Sequence, residues 1–232
     1  MGHQVKSPTR AGVTHHAANA AADSPQSDPP LPAPLPPWAD CDHDQRRSHI
    51  VETALSLLHQ HGLDAVTIRR VAAELGLGAM TLYTYLDGQD ALRQAMVRRG
   101  FELLHDDDEH DDEPAEDLTG ADHWRACSQH YIDFALERPN LFRLMFDTPL
   151  PPQDDDLLSA AFEPFLEVVR NRIAPHSKLT GPALDAEARR QAGRYWIAIH
   201  GLATLASANR LDVLQQDTMA LLDDLLQRVA PH

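Results

Sequence analysis

The sequence has little of three things on which many proteins depend: cysteine, cationic side chains and long apolar runs. Its 232 residues include only Cys41 and Cys127, so a disulfide framework of the secreted type is not expected. No apolar run approaches the roughly 20 residues that cross a bilayer. The polar stretch from Met1 to Arg10 does not have the layout of a secretory signal peptide. We therefore expect a cytoplasmic protein without a membrane partner.

Positive charge is scarce. The chain has 20 lysines and arginines against 35 aspartates and glutamates, which gives a net charge of −15. This balance excludes a protein that binds nucleic acid through an overall positive charge. It still allows a small local surface that binds DNA.

The motifs of several common catalytic sites are also absent. The sequence contains no HExxH, no GxSxG and no GxxxxGK pattern. Strand and helix patterns do not alternate as they do in βαβ units. We predict an all-α chain that is not an enzyme, has no catalytic residues and needs no cofactor.

Two stretches of biased composition divide the chain. Residues 1–44 contain eight of the 17 prolines. Because proline removes a backbone donor and restricts its neighbour, we predict a disordered Pro/Ala-rich tail there. Residues 105–117 read HDDDEHDDEPAED, and nine of these 13 residues are acidic. Such a block repels itself and stays solvated, which predicts a loop over 105–120.

After the tail, the apolar spacing predicts three short helices. The first has one apolar face and ends at Gly62; that face is formed by Ile50, Ala54, Leu57 and Leu58. Thr67 has the position of an N-cap for the second helix, the tight turn LGLG follows, and a third short segment reads AMTLYTYL. Three short helices with glycine in the second turn are typical of a helix-turn-helix, which we place at 45–92.

A fourth helix is predicted to connect this domain to the rest of the chain. Asp87 and Asp90 have the spacing of an N-cap and a third helical residue, and the helix is expected to run to about Leu104. Further helices are predicted at about 121–137, after Pro139, and at about 154–173, 183–208 and 212–229. These form a second domain at 121–232.

The helix-turn-helix is locally more positive than the chain as a whole. Residues 45–104 contain seven arginines and six acidic residues, so this part is near +1. Arg46, Arg47, Arg69 and Arg70 lie at helix starts, from which they can reach phosphates. Hydroxyl and aromatic side chains of AMTLYTYL are expected to face solvent, where they suit contacts to phosphates and base edges.

The segment TIRRVAAELGLGAMTLYTYLDGQDAL closely resembles the DNA-binding segment of the tetracycline-repressor (TetR) family, and the resemblance covers about 46–104. It implies phosphate contacts by Thr67, Tyr83 and Tyr85. It also implies that four residues lie at or near base edges: Arg69, Ala79, Met80 and Thr81. One position departs from the family, which usually has a phosphate-binding lysine where this chain has Gln89. Either the affinity for DNA is lower, or Arg46 and Arg47 compensate.

The second domain is similar to the ligand domain of one TetR subgroup, named for a Trp-His-Gly signature. The match lies in HWRACSQHYIDFALERPNLFRLMF and in Trp196, His200 and Gly201. The resemblance implies a domain that binds a small molecule and dimerises. The expected walls of the ligand site are aromatic, with His200 as a polar anchor: Phe101, Trp124, Tyr131, Phe142 and Trp196. The expected apolar dimer face is Tyr195, Ile199, Leu202, Leu205, Val213, Leu221, Leu222 and Leu225.

These patterns predict a ligand-responsive transcriptional regulator. Its expected partners are a double-stranded palindromic operator, a small apolar effector and a second copy of the chain, and repression is its expected mode.

Plainer interpretations remain open for single residues. Tyr83 and Met80 could pack within the bundle, and Trp196 and His200 could be core residues only.

Two other functions also remain open. The 14 histidines and the acidic block suggest a metal- or proton-responsive regulator, although we predict no specific metal ligands. The second domain could also dimerise without binding an effector.

Overall fold

Capping residues and glycines set the bounds of the first helices in the computed structural model, which describes residues 37–109, 120–149 and 151–229. Helix α1 spans His43–His61 and starts with a capping box between Asp42 and Gln45. It ends at Gly62, whose φ of 77° is open to glycine at no steric cost. Within these ranges every regular element is helical, and none of the helices is both long and apolar enough to cross a membrane.

Helices α2 and α3 form the short pair that the sequence predicts. Helix α2 spans Ile68–Glu74, and the Thr67 hydroxyl accepts a hydrogen bond from the Arg70 N–H at 3.2 Å, as an N-cap does. Helix α3 spans Ala79–Leu82. The remaining helices are α4 Gln89–Glu109, α5 Gly120–Glu137, α6 Pro139–Asp147, α7 Asp155–Ile173, α8 Pro182–Ser207, α9 Arg210–Val213 and α10 Thr218–Val229.

The prediction of a disordered tail over residues 1–44 is wrong for the last residues of that range. Trp38–Asp40 form a 3₁₀ turn, Cys41 is buried, and α1 has already begun at His43. The reason is that Trp38 packs on aromatic side chains and Asp42 caps a helix, and these two interactions order the chain before residue 45. The rest of the predicted tail, 1–36, lies outside the described residues.

The bounds of the connector helix also differ from the prediction. Helix α4 begins at Gln89 rather than Asp87 and continues to Glu109, so the start of the predicted acidic loop is helical. No glycine or proline interrupts the sequence between Leu104 and Glu109, and repulsion among carboxylates alone does not end the helix. Residues 110–119 of the predicted loop lie outside the described residues.

The last predicted helix, 212–229, is in fact two helices. A turn separates α9 from α10, and Gln215 in this turn has a φ of 54°. The Asp217 carboxylate accepts a hydrogen bond from the Ala220 N–H at 2.7 Å, which caps the start of α10. The predicted helices of the second domain before this point agree closely with α5 to α8.

One hydrophobic core extends from Ile50 in α1 to Leu222 in α10, so the two predicted domains share an interior. Polar contacts also join them. Arg99 in α4 pairs with Glu52 in α1 at 2.8 Å, and the Asn140 side chain in α6 donates to the Leu58 carbonyl at 3.2 Å.

Arg98 joins α4 to the start of α7. Its Nε lies 3.0 and 2.9 Å from the two carboxylate oxygens of buried Asp154, and its second terminal nitrogen adds a 2.9 Å contact. This hydrogen bonding raises the pKa of Arg98 above its ordinary value. A bidentate pair of this kind fixes the direction of both side chains.

Gly100 marks a close crossing of α4 and α6. A Cβ atom at this position would lie 2.7 Å from Sδ of Met145 and 3.0 Å from Cδ1 of Leu141. The two helices therefore approach as closely as they do because residue 100 has no side chain.

Replacing Gly100 with leucine is expected to lower the free energy of unfolding by about 1–3 kcal/mol, because the added carbons push α6 away from α4. Urea unfolding at a fixed protein concentration measures this change. The control is Ser56→Leu at an exposed position of α1, which should change the free energy of unfolding by no more than about 0.5 kcal/mol. A Gly100→Leu protein as stable as wild type would contradict the crossing.

Candidate DNA interface and effector core

Helix α3 presents an exposed surface on a buried base. Leu82 and Leu86 are buried, and Leu77 is half-buried against the same core. On the outer side Met80 is 77% exposed and Tyr83 is 51% exposed. An apolar methionine at this exposure is not part of the core, so the interpretation of Met80 as a core filler is wrong.

The other candidate DNA residues lie at different depths. Thr67, Arg69 and Arg47 are exposed, whereas five side chains are partly covered: Arg46, Ala79, Thr81, Tyr85 and Gln89. Arg46 and Tyr85 touch each other, because a terminal guanidinium nitrogen of Arg46 donates to the Tyr85 hydroxyl at 3.3 Å.

Gln89 has an internal role that the sequence did not indicate. Its amide nitrogen donates to the Val66 carbonyl at 2.7 Å, and its amide oxygen accepts from the Ile68 N–H at 3.1 Å. Gln89 thus ties the start of α4 to the start of α2. One amide hydrogen remains beyond these bonds, so its contact to a phosphate stays a prediction.

Tyr131 lies at the centre of a cluster of rings between helices α5 to α8. Its hydroxyl is 2.9 Å from Nδ1 of His200. Burial raises the pKa of Tyr131 and lowers the pKa of His200, so the hydrogen bond joins two neutral groups at neutral pH. The Tyr131 ring also contacts four other rings: Phe142, Phe146, Phe165 and Trp196.

The structure brings five of the six predicted effector residues together. Phe101 joins the cluster through Phe146, at 5.6 Å between ring centroids. Trp124 does not join it, because its ring packs 4.0 Å from the centroid of Tyr195, whose hydroxyl is bonded to Ser128 at 2.5 Å.

Sequence reasoning missed Phe146 as a member of the cluster. Its ring centroid is 4.5 Å from that of His200 and 4.9 Å from that of Phe142. The available signal was the four-residue spacing of Phe142 and Phe146, which puts both rings on one face of α6.

The cleft found beside the cluster among the described residues is small. It has a volume of about 20 Å³, which is room for one or two water molecules. Of the six predicted effector residues, only Tyr131 lines this cleft, with Leu104, His105, Cys127, His130, Ala160, Ala161, Pro164 and Phe165. The indole N–H of Trp196 is buried beside the Tyr131 hydroxyl, and no acceptor among the described residues meets it with good hydrogen-bond geometry.

The metal interpretation gains no support. In the described ranges, no three side chains among histidine, cysteine, aspartate and glutamate lie where they could hold a metal ion. His105 lies in α4, and His110 lies outside those ranges.

The predicted dimer face is wrong for several of its residues, because they are not available to a partner. Four of them are buried inside a single protomer: Tyr195, Ile199, Leu202 and Leu222. The reason is that α8 packs through that face against α5 and α7. Its opposite face exposes Ile197 and Leu205 at 69% and 42%, with Gly201 between them.

Two parts of the chain match sequence models of known protein families. Residues 50–96 match the sequence model for bacterial regulatory proteins of the tetR family, and residues 124–229 match the model for the tetracyclin repressor-like C-terminal domain. The chain belongs to the TetR family. This is a family of transcriptional regulators rather than of enzymes. Neither match names the Trp-His-Gly subgroup, which stays a prediction.

Individual relatives agree with this family. An uncharacterised HTH-type transcriptional regulator of Mycobacterium tuberculosis is 27% identical over 79% of this chain and 79% of its own length. The HTH-type transcriptional repressor DrrR1 of Streptomyces coeruleorubidus is 44% identical over 50 residues, which are 22% of this chain and 18% of that protein. The solved structure of FadR from Bacillus subtilis in complex with stearoyl-CoA has the same fold, with a TM-score of 0.59, 14% identity and coverage of 79% and 97%.

Proposed function

We propose that this TetR-family regulator is a cytoplasmic, homodimeric repressor that binds a palindromic operator and releases it when a small apolar effector enters the cluster around Tyr131. The observation that carries the DNA-binding part is the exposed Met80 and Tyr83 on a helix whose other side is buried. The repressor name of one relative supports the mode of action.

The exposure of each side chain supports an interface in which some residues contact phosphates and others contact base edges. The Thr67 hydroxyl accepts a bond from the backbone, so its own hydrogen remains to donate to a phosphate. Tyr83 is exposed enough to do the same. The remaining phosphate contacts are assigned to Arg46, Arg47, Tyr85 and Gln89. The base-edge contacts are assigned to Arg69, Ala79, Met80 and Thr81.

Arg69→Ala is expected to relax sequence preference, because a bidentate contact from arginine to guanine contributes about 1–3 kcal/mol of discrimination. Tyr83→Phe is expected to weaken binding to every duplex, because it removes a phosphate hydroxyl contact. The measurement is anisotropy titration of a duplex selected with the wild-type protein and of an unrelated duplex. The control is Arg143→Ala, because Arg143 is an exposed arginine in α6, away from α3. It removes the same charge and should change neither the sequence preference nor the affinity for either duplex. Unchanged preference in Arg69→Ala would contradict the assignment.

The exposed face of α8 supports the homodimer. Ile197 and Leu205 are apolar and exposed in one protomer, and no atom lies within 4 Å of the Cβ position of Gly201 between them. A glycine there allows a partner helix to approach closely. Dimers are also typical of TetR regulators, and two-fold symmetry would set two α3 helices one turn of DNA apart.

Leu205→Glu is expected to weaken dimerisation at least about tenfold, because a carboxylate would be buried without a partner in the interface. Leu179→Glu is the matched control, since Leu179 and Leu205 are both 42% exposed in a protomer and only Leu205 lies on α8. Sedimentation at several protein concentrations gives the dimer dissociation constant of each variant. Equal constants for the two variants would refute this face as the interface.

Helix α4 supports a link between effector and DNA. It contacts α1 through Arg99, α6 at Gly100 and α7 through Arg98. An effector that separates the rings around Tyr131 has to move α6 or α7, and these contacts then move α4. The buried Trp196 N–H has no well-aligned acceptor among the described residues, which favours an apolar effector that carries one acceptor oxygen.

Effector affinity and operator affinity are expected to oppose each other by the same factor, about 5- to 150-fold for a coupling of 1–3 kcal/mol. The measurement is a titration of apolar carboxylic acids, esters and ketones into the protein with and without the selected duplex. Trp196→Phe should lower the affinity for compounds with an acceptor oxygen more than for plain hydrocarbons. A compound that binds equally with and without the duplex would show that the two sites are uncoupled.

A further inference from the structure

A 3₁₀ turn before α1 packs against the chain just after α3. The Trp38 ring in this turn meets the Tyr85 ring edge-on, with centroids 5.7 Å apart and an interplanar angle of 81°. Residues 37–41, named here the Trp38 cap, lie before residue 50, where the match to the family model begins. The contact between the Trp38 cap and Tyr85 is therefore outside the pattern that identified the family.

The Trp38 cap holds Arg46 in one direction. The Arg46 Nε donates to the Trp38 carbonyl at 3.2 Å, and the guanidinium lies 5.7 Å from the centroid of the Trp38 ring. A terminal nitrogen of the same guanidinium donates to the Tyr85 hydroxyl at 3.3 Å. Because these contacts already order the side chain, Arg46 loses little conformational entropy when it binds a ligand.

Three carboxylates make such ordering useful. Asp40, Asp42 and Asp44 lie within the six residues before Arg46, yet no ion pair joins Arg46 to any of these three. A mobile arginine in this setting would spend time paired with a carboxylate. The Trp38 carbonyl and ring hold the guanidinium beside Tyr85 instead.

The resulting pair of side chains has the chemistry of an anion site. The Tyr85 hydroxyl accepts from Arg46, so its own hydrogen is left to donate. Arg46 has five N–H donors, of which two are used in these bonds. A guanidinium and a phenol hydroxyl side by side suit the oxygens of one phosphodiester group.

We propose that Trp38 is a positioning residue for DNA binding, which holds Arg46 and Tyr85 together as a preformed site for one backbone phosphate. This inference rests on the proposed function, because it adds a residue to the same DNA interface. Trp38 itself acts through Arg46 and is not assigned a contact to DNA.

The test is a double-mutant cycle with Trp38→Ala and Arg46→Gln on the duplex selected with the wild-type protein. Trp38→Ala keeps the carbonyl that accepts from Arg46 but removes the ring, and it is expected to weaken binding roughly 3- to 10-fold, the range for one lost cation–π contact with the ring packing beside it. Arg46→Gln should weaken binding at least as much. It should also make the plot of log K against log salt shallower by about 0.9 per protomer. The double variant should lose clearly less than the sum of the two single losses, because much of the Trp38→Ala loss is made through Arg46.

Two further variants separate positioning from stability. Trp38→Phe keeps a ring against Tyr85 and should recover most of the affinity. Arg46→Lys keeps the charge but cannot reach both the Trp38 carbonyl and the Tyr85 hydroxyl, so affinity should fall while the salt slope is retained. Thermal unfolding and dimer mass are measured for each variant, and the comparison uses those that match wild type in both.

The proposal is overturned if Trp38→Ala binds the duplex as wild type does, or if the losses of Trp38→Ala and Arg46→Gln add in the double variant. A wild-type protein that selects no duplex from a random pool would instead overturn the proposed function. The two failures are thus distinguishable.

Discussion

Helix α4 is fixed by three consecutive residues, each against a different helix, and the arrangement of the other helices depends on this. Arg98 pairs with Asp154 at the start of α7, Arg99 pairs with Glu52 in α1, and Gly100 admits Met145 of α6. Side chains at successive positions of a helix point in different directions, about 100° apart. Three neighbouring residues therefore fix the position, the rotation and the tilt of α4 together.

The low positive charge of the chain bears on the DNA interface proposed above. With a net charge of −15, the protein as a whole repels DNA, and each contact has to come from a cation or a hydroxyl held in place. Gln89 brings no charge to the position where the family usually has a lysine. Its amide group instead makes two hydrogen bonds that join α2 to α4. The net charge therefore adds no attraction to DNA at long range. The proposed contacts at short range would have to supply the affinity.

Most of the fold could be predicted from the sequence because its signals are local. Thr67 and Gly62 act within one helical turn, and the apolar period of α1 describes one face of one helix. The details that the sequence did not reveal depend on distant partners. The order of Trp38 depends on Tyr85, and the separation of Trp124 from the rings around Tyr131 depends on Tyr195. Which face of α8 is buried depends on α5 and α7. No spacing rule encodes such pairings.

The close packing of rings around Tyr131 bears on how fast the protein would respond to the proposed effector. With room for one or two water molecules in the cleft beside packed rings, the proposed effector would need a conformation in which these rings are apart, and that conformation would be a minor population. An apparent dissociation constant is the intrinsic constant divided by that population. The protein would thus ignore low effector levels, and binding would proceed no faster than the rings around Tyr131 and His200 separate. Close packing in this interior would set both a concentration threshold and a delay for the proposed effector.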